Sequence, residues 1–178
     1  MADLSTASPP LAAPSFDELS RTYHAALHRV ARGYEARADK QDDLVQEILI
    51  ALHRALPSFE GRASVRTWVH RIAHNVAVDH VRRERRGSLA QTVTLDELEA
   101  SADPRADTAR IVDHKRTVER LAELVRTLRP LDRQVVLLHL EGMDPHEIAD
   151  VTGLSPENVA TRAHRIKRAL ATALGGAA

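Results

Sequence analysis

The sequence predicts an all-α protein: two small helical domains joined by an acidic flexible linker. Three observations predict it. Apolar residues recur at helical spacing in two blocks, 15–86 and 109–174; the periodicity lapses over 87–108; and no strand-like alternation appears anywhere. At 178 residues the chain has room for one domain or two small ones, each with a modest core, and composition alone does not choose between them.

Residues 1–14 are rich in Ala, Pro and Ser and too poor in large apolar groups to order themselves, so a disordered lead is expected. Ser15 and Glu18 then form a capping box. Phe16, Leu19, Tyr23, Leu27 and Val30 follow at helical intervals, giving a first helix that ends near Gly33.

The stretch 41–86 organises the rest. Its first half belongs to a helix over about 39–56, stopped by Pro57, with Leu44, Val45, Ile48, Leu49, Leu52 and Leu56 on one broad apolar face. The opposite stripe carries Asp43, Gln46, Glu47, Ile50 and Arg54, which sets an isoleucine within a mainly acidic surface. A contact face explains that isoleucine; an ordinary amphipathic helix with one exposed apolar side chain explains it equally well.

A loop over 57–63 leads to Ser64, the expected N-cap of a third helix that buries Val65, Trp68, Val69, Ile72, Ala73 and Val76. The helix then turns basic. Arg62, Arg66, Arg71, Arg82, Arg83, Arg85 and Arg86 are answered between 61 and 86 only by Asp79 and Glu84, the balance of a phosphate-binding surface. His70 and His74 lie one turn apart, a spacing that can bind zinc, but no third ligand accompanies them; solvated or phosphate-facing histidines are expected instead. Trp68, the single tryptophan, reads as core.

From 87 to 108 Asp96, Glu97, Glu99, Asp103 and Asp107 outnumber Arg105, as in an acidic tether. Helical pattern resumes near Ala109 with Val118, Leu121, Ala122, Val125 and Leu128, and ends before Pro130. A short helix over 131–140 closes at Gly142. Asp144, Pro145 and Glu147 then supply an N-cap, a first-position proline and a capping carboxylate. The run HEIADVTGLSPENVATRAHRIKRAL reads as a helix-turn-helix, with Gly153 making the turn and Ser155 and Pro156 capping the second helix. There Val159, Ala163, Ile166 and Leu170 share one face. Asn158, Ala160, Thr161, Arg162, His164 and Arg165 stay outward or lateral, near the half that enters a major groove, while Lys167 and Arg168 suit backbone phosphates.

Net charge is zero, but the charges are segregated. Without cysteine there can be no disulfide or thiol switch in the chain. The N-terminal residues lack the features of a signal peptide and no segment is long enough to span a bilayer, so a soluble cytoplasmic protein is expected. No nucleophile–base pair, phosphate loop or metal signature is present; neither an enzyme nor a cofactor is expected.

DDLVQE, FEGRAS, RTWVHRIAHN and the trailing arginines, in that order and spacing, resemble domain two of a bacterial sigma factor of the sigma-70 family, extracytoplasmic-function (ECF) group. The helix-turn-helix resembles domain four. The resemblance implies domain boundaries of 15–86 and 109–174. It implies that Asp43, Gln46, Glu47 and Ile50 dock on core RNA polymerase, and that the loop with Phe59, Gly61, Arg62, Ala63 and Ser64 receives a flipped promoter base. Asn75, Asp79, Arg82 and Arg83 would contact the minus-ten element, Asn75 as the base reader and the arginines on phosphates. Asn158, Ala160, Thr161, Arg162, His164 and Arg165 would contact the minus-thirty-five element, and the linker would thread the polymerase cleft. Two departures stand out: Val65 where the family often has an aromatic residue, and Ala160 where it usually has a basic one. The first predicts dependence on closely matched promoters. An anti-sigma protein is a further expected partner. Two alternatives remain at this level: a sigma mimic that titrates an anti-sigma protein, and a free-standing helix-turn-helix regulator.

Overall fold

Ser15 opens the first helix, α1 (Phe16–Tyr34), with the expected capping box: its hydroxyl accepts from Glu18 N–H at 3.2 Å, and the Glu18 carboxylate accepts from Ser15 N–H at 3.1 Å. The structure, a computed structural model, describes residues 14–85, 92–100 and 114–174. The expected lead up to Ala13, Arg86, the linker acids Asp103 and Asp107 with Arg105, and the helix start near Ala109 lie outside the described residues.

α2 (Ala38–Ala55) runs into a 3-10 turn, Leu56–Ser58, at Pro57. α3 (Val65–Arg85) starts from Ser64, whose hydroxyl accepts from Thr67 N–H at 3.0 Å. The apolar stripes of the three helices meet in one core, in which Leu27, Leu44, Ile48, Leu52, Val69 and Ala73 have no exposed surface. Each such large aliphatic side chain contributes about 1.5–3 kcal/mol of burial. Trp68 is half-buried against this core.

Within the expected tether, residues 92–100 are folded. Val93 N–H donates to Thr127 O at 2.9 Å, and α4 (Leu95–Ala100) carries its own capping box, with Thr94 N–H donating to Glu97 at 2.6 Å and Glu97 N–H to Thr94 Oγ1 at 3.1 Å. Leu95 and Leu98, three residues apart, are buried against the last helix. One cap and two leucines on one face outweigh the local excess of acids.

The second core is built by α5 (His114–Thr127), α6 (Pro130–Leu140), α7 (Pro145–Thr152) and α8 (Pro156–Ala173), with Leu128, Val135, Leu138, Ile148, Val159 and Ile166 at its centre. Asp144 accepts from His146 and Glu147 N–H at 2.8 and 2.9 Å and Ser155 accepts from Asn158 N–H at 3.3 Å, so both helices of the helix-turn-helix are capped. Between them Gly153 adopts φ 76°, the left-handed conformation that ends α7 and that a side chain would strain.

The two cores abut. Leu137 of α6 packs against the α1–α3 core at Gly33, where a Cβ would lie 2.6 Å from Leu137 Cδ1. Arg133 lies over the Tyr34 ring with 5.3 Å to its centroid, and Arg126 Nη1 donates to Arg32 O at 2.9 Å.

Candidate nucleic-acid and protein interfaces

The acidic stripe of α2 faces outward. Asp43 and Gln46 are exposed, Ile50 is 51% exposed, and Glu47 is partly covered because it pairs with Arg83 of α3. That ion pair sets the edge of the acidic face directly against the basic end of α3. Lys40 bonds Glu84 in the same way one turn further on, and holds the Glu84 carboxyl below its usual range.

Along α3, Asn75, Asp79, Arg82 and Arg83 are exposed, and Arg82 meets Asp79 at 3.2 Å. The loop before α3 presents Glu60, Gly61 and Arg62 to solvent, with Arg62 and Glu60 paired at 2.6 Å and Gly61 at φ 71°. Phe59 turns its ring against Trp68, centroids 5.1 Å apart, and Ala63 is half-buried. The Ser64 hydroxyl is engaged in capping α3.

The histidines require a correction. His70 and His74 are neither solvated nor phosphate-facing: they are 1% and 0% exposed. Tyr34 Oη and His74 Nδ1 are hydrogen bonded at 2.9 Å, and Tyr23 meets His70 edge-on. Burial, with the neighbouring His70 as a lesser cause, holds the His74 imidazole down to about 3, and burial likewise depresses His70. Both are therefore neutral core side chains at pH 7. Helical spacing placed them on one face, and the packing of α1 and α6 made that face an interior. Among the described residues no group of three or more His, Cys, Asp or Glu is arranged to hold a metal ion.

Two arginines of the basic helix also have partners that the sequence did not reveal. Arg66 donates to Glu141 O and lies 3.8 Å from Glu147, while Arg71 donates to Asp150 O at 2.6 Å. No local pattern signals these contacts, because the acceptors are mostly backbone carbonyls of distant helices.

On α8, Asn158, Ala160, Thr161, His164 and Arg165 are exposed and form a surface around the helix's N-terminal half. Arg162 is only partly exposed: its guanidinium holds the buried Asp132 carboxylate of α6 at 2.5 Å. Arg165 meets Asp96 of α4 at 2.9 Å. No helix among the described residues is long and apolar enough to cross a membrane.

Comparison with known proteins bears on these surfaces. Residues 19–87 match the family model described as Sigma-70 region 2, and residues 118–170 match Sigma-70, region 4. The chain is 30% identical over 165 residues to the RNA polymerase sigma factor CnrH of Cupriavidus metallidurans, covering 90% of this chain and 86% of that one. It is 29% identical over 163 residues to the ECF RNA polymerase sigma factor SigM of Mycobacterium tuberculosis, covering 90% and 78%. Among solved structures, CnrH in complex with the cytosolic domain of CnrY superposes with a TM-score of 0.64 at 25% identity, over 89% of this chain and 86% of that one. The sigma factor RpoE in complex with the anti-sigma factor NepR from Bartonella quintana shares the fold, with a TM-score of 0.66 at 19% identity over 89% and 96%. An α1–α3 unit matching region 2 and a helix-turn-helix unit matching region 4, in that order, place the chain in the sigma-70 family of RNA polymerase sigma factors, in its extracytoplasmic-function group.

Proposed function

We propose that this ECF sigma factor binds core RNA polymerase through the exposed α2 stripe, reads the minus-ten element with the 59–64 loop and the α3 stripe, and reads the minus-thirty-five element with α8. The observation that carries this reading is the joined pair of faces on one three-helix unit: Asp43, Gln46, Glu47 and Ile50 on one side of the Glu47–Arg83 ion pair, Asn75, Asp79 and Arg82 on the other. An acidic face bearing an exposed isoleucine suits a protein partner, and an arginine-rich face beside an asparagine suits DNA. Asn158, Thr161, His164 and Arg165 supply polar and cationic groups to the major groove, and Arg162 keeps its register from Asp132.

The protein works in the cytoplasm, has no catalytic step of its own, and contributes to initiation by binding; phosphodiester chemistry belongs to the polymerase. Two modest DNA readers carried on one polymerase make the second contact intramolecular, which raises the affinity of the pair without new chemistry. An anti-sigma protein belongs among the partners; the sigma factor RpoE, which shares the fold, was crystallised with the anti-sigma factor NepR.

Run-off transcription with purified core polymerase, on promoters selected from a random library, tests this. Wild-type protein should yield a specific transcript, Asp43→Arg should lose it, and Asn75→Ala should weaken it. Failure of the wild-type protein to bind core polymerase refutes the reading.

A further inference from the structure

We propose that Asp96 of α4 is a specificity-determining residue of the helix-turn-helix domain: it holds the Arg165 guanidinium off DNA phosphates, so that Arg165 is offered to a base edge of the matched element and withheld from sequence-independent binding. The inference rests on the reading that α8 engages the minus-thirty-five element.

The stretch that carries Asp96 reads in sequence as part of a tether, yet it is fixed to the second domain. Val93 N–H donates to Thr127 O at 2.9 Å, and Val93 pairs with Leu128 in an isolated parallel bridge. Leu95 and Leu98, on either side of Asp96, are 6% and 4% exposed in the core that also holds Ile166, Ala169 and Leu170 of α8. Anchors on both sides leave the Asp96 backbone little freedom. The next carboxylate, Glu97, is taken up by the cap of α4, where Thr94 N–H donates to it at 2.6 Å. Asp96 is the acid of this first turn that meets α8: its Oδ1 accepts from Arg165 Nη2 at 2.9 Å.

Arg165 stands where a reader of DNA would. Asn158, Thr161 and Arg165, at i, i+3 and i+7, share one exposed stripe of α8. Both arginines among the six candidate minus-thirty-five residues hold a carboxylate, but the two pairs differ in kind. Arg162 grips Asp132, whose side chain is 5% exposed, and that pair ties α8 to α6. The Arg165–Asp96 pair is open to solvent at both ends, 49% and 82% exposed, so it adds little to stability. Its consequence lies instead in what the arginine binds.

Phosphate contacts and base contacts respond differently to such a carboxylate. Sequence-independent binding comes from cations that neutralise phosphates, and each contact releases counterions and steepens the dependence of log K on log salt by about 0.9. A guanidinium neutralised by Asp96 adds little to that term, and the carboxylate itself repels the backbone. A base edge, by contrast, is read by the direction of its donors and acceptors. Arginine carries several N–H donors in a rigid fork; one bond from Nη2 leaves the others available while restraining the orientation of the group. Asp96 therefore costs a phosphate contact more than it costs a base contact.

The test is salt-dependent binding of the full chain, assembled with core polymerase, to two duplexes: a promoter selected from a random library, and the same promoter with its minus-thirty-five element scrambled. Asp96→Asn keeps the size of the side chain and removes its charge. It should bind the scrambled duplex about fivefold more tightly at physiological salt, with a salt slope steeper by about 0.9, and the selected promoter by less than about twofold, so that discrimination falls. Asp96→Glu, which keeps the charge, should behave as wild type. In an Arg165→Ala background Asp96→Asn should change nothing, which separates the pair from a general loss of negative charge. Thermal unfolding midpoints of the two Asp96 variants should match wild type. An unaltered salt slope in Asp96→Asn, or a change that persists without Arg165, overturns the proposal, and an equal gain on both duplexes overturns the specificity role. If Asp96→Asn steepens the slope through Arg165 while the wild-type complex binds both duplexes equally, the restraint on phosphate binding stands and the minus-thirty-five reading falls.

Discussion

Replacing Ile50 with alanine separates a contact role from a structural one. Ile50 is 51% exposed, so about half of the roughly 1.5–3 kcal/mol available from burying such a side chain is still unspent in the free protein. Covering it with polymerase would contribute about 1 kcal/mol, and Ile50→Ala should therefore weaken core binding about fivefold. Its effect on stability should stay within about 0.5 kcal/mol, as for other exposed positions. Ile48, two residues earlier on the same helix, is fully buried and provides the contrast: Ile48→Ala should cost about 2–5 kcal/mol of stability. A fluorescence anisotropy titration of labelled protein with core polymerase, paired with thermal unfolding, measures both quantities. An unchanged dissociation constant for a fully folded Ile50→Ala protein would refute the assignment of the α2 stripe to polymerase.

Asp132→Ala removes the buried partner of Arg162. Because Arg162 is 36% exposed and can rehydrate, the cost should be about 2 kcal/mol, less than the ~3–5 kcal/mol of a fully buried pair, and urea unfolding should show it as a lowered midpoint. Ser155→Ala deletes the cap of α8 and should cost about 1 kcal/mol in the same assay, with affinity for minus-thirty-five DNA reduced alongside. His74 gives a pH signature. Its folded-state value is about 3, below the ordinary value of 6.5, so the unfolded chain takes up a proton that the folded chain refuses. Stability should fall as pH drops below about 6.5, by about 1.4 kcal/mol per pH unit from this residue, levelling off near 3. His74→Gln should flatten that slope in denaturation series run between pH 7 and 4; an unaltered slope would show that His74 does not carry it.

Much of the fold was legible because its signals are local. The Ser15–Glu18 and Asp144–Glu147 boxes, Pro57, the Gly153 turn and the apolar stripes of α1, α2 and α8 each act within one or two helical turns, so spacing alone reveals them. α4 had a local signal as well, Thr94 with Glu97 ahead of Leu95 and Leu98, but it was obscured by the surrounding acids. Exposed candidate site residues such as Asp43, Ile50, Asn75 and Thr161 stand where helical phase places them, because nothing else among the described residues covers those faces.

By itself, then, the sequence determined the helices, their caps, the two-unit order and the segregation of acidic from basic faces, all of which depend on neighbours a few residues away. Only the tertiary structure decided which polar side chains are inside or already engaged. His70 and His74 became core, Arg66 and Arg71 became interdomain contacts, and Arg162 became anchored to Asp132. The reason is that burial and pairing are set by what the distant chain lays against a helix: Tyr34 lies 40 residues before His74, and Glu141 lies 112 residues after Arg29. Helical phase says which side chains share a face; it does not say whether that face meets water, DNA or another part of the same molecule.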